Sequence, residues 1–240
     1  MSLLEIRNLT VKSPSEKILD SVSISAEKKK ITGIIGRSGS GKTTVFRSVL
    51  GLLEKELAVS GEFIFEGKSF VPGKEKRIQP VFQDPVRYFN PVLNLRQILL
   101  EPLEISQRAA SFDSEFSRFS EVFRFSRSDL SKKITVFSGG ELQRISIIRA
   151  LFFYPELLLM DEPVSGFDRL LIRDTAELIR KLRDDFGMSI LIVSHDMEFL
   201  LSIAEHIYVI EKGRVEDRGS REEILLSKKE ATLELLRYVL

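Results

Sequence analysis

The octapeptide GRSGSGKT, residues 36–43, limits the folds open to this chain more than any other stretch. It follows ITGIIG (31–36), an apolar, β-branched run that reads as a buried strand, and it opens KTTVFRSVLGLL (42–53), which reads as a helix. A glycine-rich turn between a strand and a helix N-terminus is a grip for phosphate. Gly36, Gly39 and Gly41 let backbone N–H groups turn inward around an anion without Cβ clashes. Lys42 reaches the β- and γ-phosphates of a nucleoside triphosphate, Thr43 offers its hydroxyl to Mg²⁺, and Thr44 stands on the phosphate side. With Arg37, Ser38 and Ser40 these residues form the candidate phosphate loop. The plain alternative is a Gly-Ser loop that merely ends a strand, and the strand–loop–helix context outweighs it. The loop does not identify the base.

The rest of the chain fits a sheet around that loop. LLEIRNLTV and SVSISA (21–26) read as N-terminal strands, GEFIFEG (61–67) as an exposed-edge strand, and IQPVF (78–82) as a short strand ending in a Gln-Asp-Pro turn. Residues 92–130 carry helical patterns and no convincing strand. Phe112, Phe116, Phe119 and Phe123 recur at the spacing of one helix face, which reads as the packed inner face of an inserted helical lobe. ELLLMDEP (156–163), SILIVS (189–194) and IYVIEKG (207–213) are apolar strands separated by helical patterns, and the end reads as two short helices. Such alternation predicts a largely parallel sheet covered on both faces.

Bulk properties remove several classes of function. At 240 residues and 43% apolar content the chain makes one large domain, or a core with an inserted lobe. Its net charge of +1 argues against broad electrostatic binding to nucleic acid. Without Cys there is no disulfide, thiolate metal site or cysteine nucleophile, and two His are too few for an all-His metal cage. MSLLEIRNLT lacks the apolar stretch of a signal peptide, and no run approaches the roughly 20 apolar residues of a membrane span. A link to a membrane is therefore expected to run through a partner.

Three further groups stand where strands end. Asp161 and Glu162 close the apolar run LLLM, at the edge where ligands gather in open α/β sheets. Asp161 suits Mg²⁺, and Glu162 suits orienting or deprotonating an attacking water. By themselves the two acids equally well end a strand before Pro163; beside a phosphate loop they become a candidate site. Gln83 follows another strand and can touch both a Mg²⁺ and a water, although alone it reads as a polar turn residue. His195 follows SILIVS, and that placement favours a site role over the satisfied polar residue a lone His usually is. Lastly, FSGGELQR (137–144) starts a helix. Ser138 and Glu141 have capping-box spacing, and Gly139 and Gly140 leave bare N–H groups for an approaching anion.

These pieces, in this order, resemble the ATP-binding subunit of an ABC transporter over nearly the whole chain. GRSGSGKT matches the P-loop, VFQDP the Q-loop, SGGELQR the signature, LLLMDEP the acidic motif, SGFD (165–168) the D-loop and SHD (194–196) the His switch. The resemblance implies an α/β P-loop NTPase core, RecA-like and mostly parallel, with an N-terminal antiparallel β subdomain and an inserted α-helical subdomain. A single domain over 1–240 is expected, with residues 1–90 and 155–240 as core and about 91–154 as insert. It also implies ATP and Mg²⁺ as cofactors, with Thr43, Gln83 and Asp161 on the metal side. Glu162 is then the catalytic base, with His195 and Gln83 at the γ-phosphate. Ser138, Gly139, Gly140 and Glu141 contact the ATP of a second subunit, and Asp168 lies at the dimer seam.

The stretch VFQDPVRYFNPVLNLRQILLEPL (81–103) resembles the peptide and nickel import subfamily and is expected to line the groove for a permease. The implied partners are transmembrane permease subunits, a second ABC ATPase subunit and, indirectly, a solute-binding protein. Nucleic acid is not expected. The implied location is peripheral, on the cytoplasmic face of the membrane. A non-transport ABC ATPase acting on nucleic acid or ribosomes is the alternative, though no coiled-coil arm, zinc module or tandem nucleotide domain is visible. Two departures bear on function. Residues 1–45 hold no Phe, Tyr or Trp to stack on adenine, and KKK (28–30) replaces the family's Gly-Glu before the P-loop strand and reads as a solvated turn.

Overall fold

The computed structural model describes residues 1–237 and Val239. Two sheets share the core. The first joins β1 (Ser2–Lys12), β2 (Lys17–Glu27), β4 (Ala58–Phe65) and β5 (Lys68–Ser69) in the order β2-β1-β4-β5, all antiparallel. The second runs β10-β9-β3-β8-β7-β6, from β3 (Ile31–Ile35), β6 (Ile78–Val81), β7 (Leu157–Asp161), β8 (Ser189–Ser194), β9 (His206–Glu211) and β10 (Arg214–Gly219). Its strands are parallel except β10, which pairs antiparallel with β9. The mixed α/β class and largely parallel sheet therefore match the expectation.

The continuous apolar runs of the second sheet have a direct cause. Successive strand residues point to opposite faces, so a sheet covered on both sides needs apolar residues at every position. In β7, Leu158 and Met160 join one core cluster while Leu157 and Leu159 join the other, and none of the four is exposed. The same alternation sends Ile190 and Ile192 one way and Leu191 and Val193 the other. On one face lie α1 (Lys42–Val49) and the first sheet, tied to β9 where Ser25 N–H donates to the Tyr208 hydroxyl at 3.0 Å. On the other lie the remaining helices.

Between β6 and β7 the chain forms α2 (Leu95–Ile105), α3 (Phe112–Phe123) and α4 (Gly139–Leu151), linked by short 3-10 turns. The α3 stripe is packing, as its spacing predicts. Phe112, Phe116, Phe119 and Phe123 are all buried, with Phe152 and Phe186 against them. After β7 come α5 (Arg169–Phe186), α6 (Met197–Ile203), α7 (Arg221–Leu225) and α8 (Glu230–Leu236). The two terminal helices were expected.

The structure departs from the sequence reading in detail. The helix after the phosphate loop stops at Val49, because Leu50 caps it and Gly51 turns with φ 63°. The strand holding GEFIFEG is not quite an edge, since the two-residue β5 pairs with its end. β10 has no apolar run to betray it: it follows the turn at Lys212 and Gly213, both at positive φ, and folds back on β9. The three lysines do form a solvated turn, with Lys29 at φ 57°, Lys28 paired with Glu66 and Lys30 with Glu27. Among the described residues no helix is long and apolar enough to cross a membrane.

Candidate functional site

The C-terminal ends of β3, β6, β7 and β8 bring the phosphate loop, Gln83, the carboxylate pair and His195 to one edge of the sheet. A cavity of about 650 Å³ there is lined by Ser38, Gly39, Gly41, Lys42, Thr43, Thr44, Gln83, Glu162 and His195. Four strands far apart in sequence thus deliver one concave site, at the position where open α/β sheets bind ligands.

Close backbone approach explains two of the loop glycines. A Cβ on Gly36 would lie 2.1 Å from the Ile210 carbonyl oxygen and 2.5 Å from Ser40 Oγ. Gly41 has φ 105°, and a Cβ there would meet Leu19 at 2.6 Å. Both contacts hold the loop against β9 and β2. Lys42 Nζ donates to the carbonyls of Gly36 (2.7 Å) and Arg37 (2.9 Å), and burial depresses its pKa below the ordinary lysine value. Arg37 turns outward to pair with Glu234 of α8 at 2.9 Å.

Asp161 and Glu162 differ sharply in their surroundings. Asp161 ends β7, is 7% exposed, and its Oδ1 has no hydrogen-bond partner among the described residues. Burial first, and the neighbouring Glu162 second, raise its pKa to about 6. An orphaned, buried carboxylate oxygen on a residue that lines the same cavity as Thr43 fits a hard divalent cation, which would supply the missing charge. No cluster of three or more His, Cys, Asp or Glu occurs among the described residues.

Glu162 leaves the strand in a left-handed turn at φ 47°, unusual for a residue with a side chain. That turn aims its carboxylate at the end of β8. Glu162 Oε2 accepts from the Ser194 hydroxyl (3.3 Å) and the His195 N–H (3.2 Å), and lies 2.8 Å from His195 Nδ1. With Glu162 ionised, Nδ1 carries its proton toward the carboxylate, and Nε2 is the nitrogen left for a ligand. The His195 side chain is 59% exposed, so that nitrogen is reachable.

Gln83 bridges this cavity to a second one of about 770 Å³, which it lines with Thr43, Asp161, Gly139, Gln143 and Ser165. Its amide donates to Ser165 Oγ at 3.2 Å, linking the turn after β6 to the turn after β7. Asp168 caps α5, accepting from Leu171 N–H at 2.9 Å.

The Ser-Gly-Gly turn is a capping box, as its spacing predicts. Ser138 Oγ accepts from Glu141 N–H at 3.3 Å, and Glu141 Oε2 accepts from Ser138 N–H at 2.8 Å. The two glycines differ. A Cβ on Gly140 would press on Leu171 at 2.7 Å, so packing accounts for it. A Cβ on Gly139 would meet nothing within 4 Å, so nothing within the described chain requires glycine there. Residues 138–141 are absent from the lining of the cavity around Lys42, although Gly139 reaches the adjoining one.

Sequence reasoning missed two lining residues of the phosphate cavity, Glu16 and Ile18. They lie in and just after the β1–β2 turn, and only the pairing of the two strands carries them to the loop. Arg47 and Gln143, which line the second cavity, were likewise not singled out.

Comparisons with known proteins agree on one relationship. The family model described as ABC transporter matches residues 19–165. A Brucella ovis protein named as a peptide import ATP-binding protein is 32% identical over 236 residues, covering 92% of this chain and 73% of that protein. The oligopeptide transport ATP-binding protein OppF of Streptococcus mutans is 30% identical over 237 residues, with 92% and 76% covered. Among solved structures, the ADP conformation of MJ1267, an ATP-binding cassette of an ABC transporter, superposes with a TM-score of 0.82 at 27% identity, covering 100% of this chain and 99% of that one.

Proposed function

Because the chain belongs to the ABC transporter family and is the ATPase subunit of a transporter, we propose that it binds Mg-ATP at the β3–α1 loop and hydrolyses it to drive a permease importing peptides or a similar small solute. The convergence of Lys42, Gln83, Asp161, Glu162 and His195 at one sheet edge carries this reading. The peptide-import names of its relatives support the cargo class, and nickel is the other solute of the resembling subfamily.

The chemistry is positioning and charge stabilisation around the γ-phosphate. Backbone N–H groups of the loop cradle the phosphates, and Lys42 moves from the Gly36 and Arg37 carbonyls to the β- and γ-oxygens. Thr43, Asp161 and Gln83 would hold Mg²⁺, which when bound neutralises charge on the β- and γ-oxygens. Glu162 orients a water and takes its proton as the oxygen bonds to the γ-phosphorus and the bond to the β-bridging oxygen breaks. His195, fixed by Glu162 through Nδ1, presents Nε2 to the γ-phosphate.

Residues about 91–154 act as an inserted helical subdomain, with 1–90 and 155–240 as core. The open space over Gly139 supports a head-to-tail dimer in which the 138–141 turn of one chain closes on the ATP of the other, with Asp168 at the seam. The chain sits peripherally on the cytoplasmic face of the membrane, held by permease subunits, and meets a solute-binding protein only through them. Affinity purification of the tagged chain from its native membranes tests this: two integral membrane subunits should co-purify, with Mg-ATP hydrolysis in the complex. ATPase activity stimulated by nucleic acid or ribosomes, without membrane subunits, would refute transport.

A further inference from the structure

The cavity over the phosphate loop has a wall that the phosphate chemistry does not use. Lys42, Gln83, Glu162 and His195 mark where the γ-phosphate goes. The remaining lining outside the loop is Glu16 and Ile18, delivered by the β1–β2 turn. The Ile18 carbonyl and Leu19 stand against Gly41 at the start of α1, so β2 enters beside the loop. This wall is the part of the lining left for the base of a nucleotide whose triphosphate the loop wraps. No Phe, Tyr or Trp is among the described residues lining the cavity. The half-buried Ile18 offers an aliphatic ledge in place of a ring.

The Glu16 main chain is held in place, and its exposed carboxylate is not consumed. Ser13 Oγ accepts from Glu16 N–H (3.0 Å) and Ser15 N–H (3.3 Å), and Ser13 N–H donates to the Glu16 carbonyl (2.9 Å), fixing the turn. The Glu16 carboxylate makes no hydrogen bond or ion pair with any described residue. Neighbouring Lys17 is occupied by Asp20 at 2.9 Å.

A carboxylate is acceptor-only. Guanine offers it two adjacent donors, N1–H and the N2 amino group. Adenine offers one amino group beside N1, a lone-pair acceptor that repels it. We propose that Glu16 and Ile18 form the base subsite and that Glu16 makes this site accept GTP at least as well as ATP, so that the chain hydrolyses both. The proposal rests on the nucleotide reading above and adds a specificity-determining residue to it.

Equilibrium competition of ATP and GTP against a fluorescent nucleotide on the purified full chain tests it. GTP should bind at least as tightly as ATP. Glu16→Gln presents an acceptor beside a donor, which matches adenine, and should shift the ratio of dissociation constants toward ATP by about three- to tenfold. Lys42→Ala should weaken both nucleotides together. A wild-type preference for ATP, or a ratio that Glu16→Gln leaves in place, overturns the base assignment while the Lys42 effect leaves the phosphate site standing. Failure of the wild-type chain to bind either nucleotide overturns both.

Discussion

Replacing Asp161 by Asn is expected to stabilise the nucleotide-free chain while abolishing its Mg²⁺-dependent turnover. Asp161 is isosteric with Asn, 7% exposed, and has one oxygen without a partner. Its pKa rises from 3.8 to about 6 because burial, and then Glu162, disfavour the charged form. A group that holds its proton more tightly in the folded chain than in the unfolded one makes stability fall as pH rises. The cost is absent below the unfolded value, grows between roughly pH 4 and 6, and is full above that, at up to about 3 kcal/mol. Asn cannot ionise, so it escapes this cost, and a gain of about 1–3 kcal/mol at pH 8 is expected. Urea unfolding of both proteins in EDTA at pH 8 and pH 5 measures it, and at pH 5 the gain should shrink to roughly half. No gain at pH 8, or an equal gain at both pH values, would refute the reading that burial and Glu162 hold the Asp161 carboxyl toward its neutral form.

Three other substitutions probe the remaining parts. Glu162→Gln keeps the size of the side chain but removes the base, so turnover in the assembled complex should fall by about 10²- to 10⁴-fold with ATP affinity retained; single-turnover kinetics would expose an unchanged rate. Gly139→Asp adds a side chain where nothing stands within 4 Å, so folding and nucleotide binding by the single chain should survive while hydrolysis in the dimer is lost. Equal loss of both would count against a shared site. Phe116→Ala empties a position 1% exposed in the α3 stripe and should cost about 3–5 kcal/mol in denaturant unfolding; a loss below 1 kcal/mol would mean that the lobe is not packed through this face.

Local chemistry and periodicity made much of this protein readable in one dimension. ITGIIG, ELLLMDEP and SILIVS announce strands because a sheet buried on both faces needs every position apolar. The Phe stripe and the Ser138–Glu141 box are short-range patterns whose partners lie within a helix turn or two. The candidate phosphate loop is legible for the same reason, since Lys42 and Thr43 stand on the helix that the loop itself begins. Tertiary structure alone decided what meets across strands. Glu162 and His195 lie in separate strand ends, and only the parallel pairing of β7 with β8 brings them within 2.8 Å. Polar β10 exists because β9 offers it a partner, and Glu16 reaches the cavity because β2 docks on Gly41. The contrast between Asp161 and Glu162 is of this kind as well: two adjacent carboxylates differ because one ends a buried strand and the other turns left-handed toward its neighbour. Sequence fixes which groups are present, whereas distance, burial and dielectric are properties of the packed chain, and those set what each group can do.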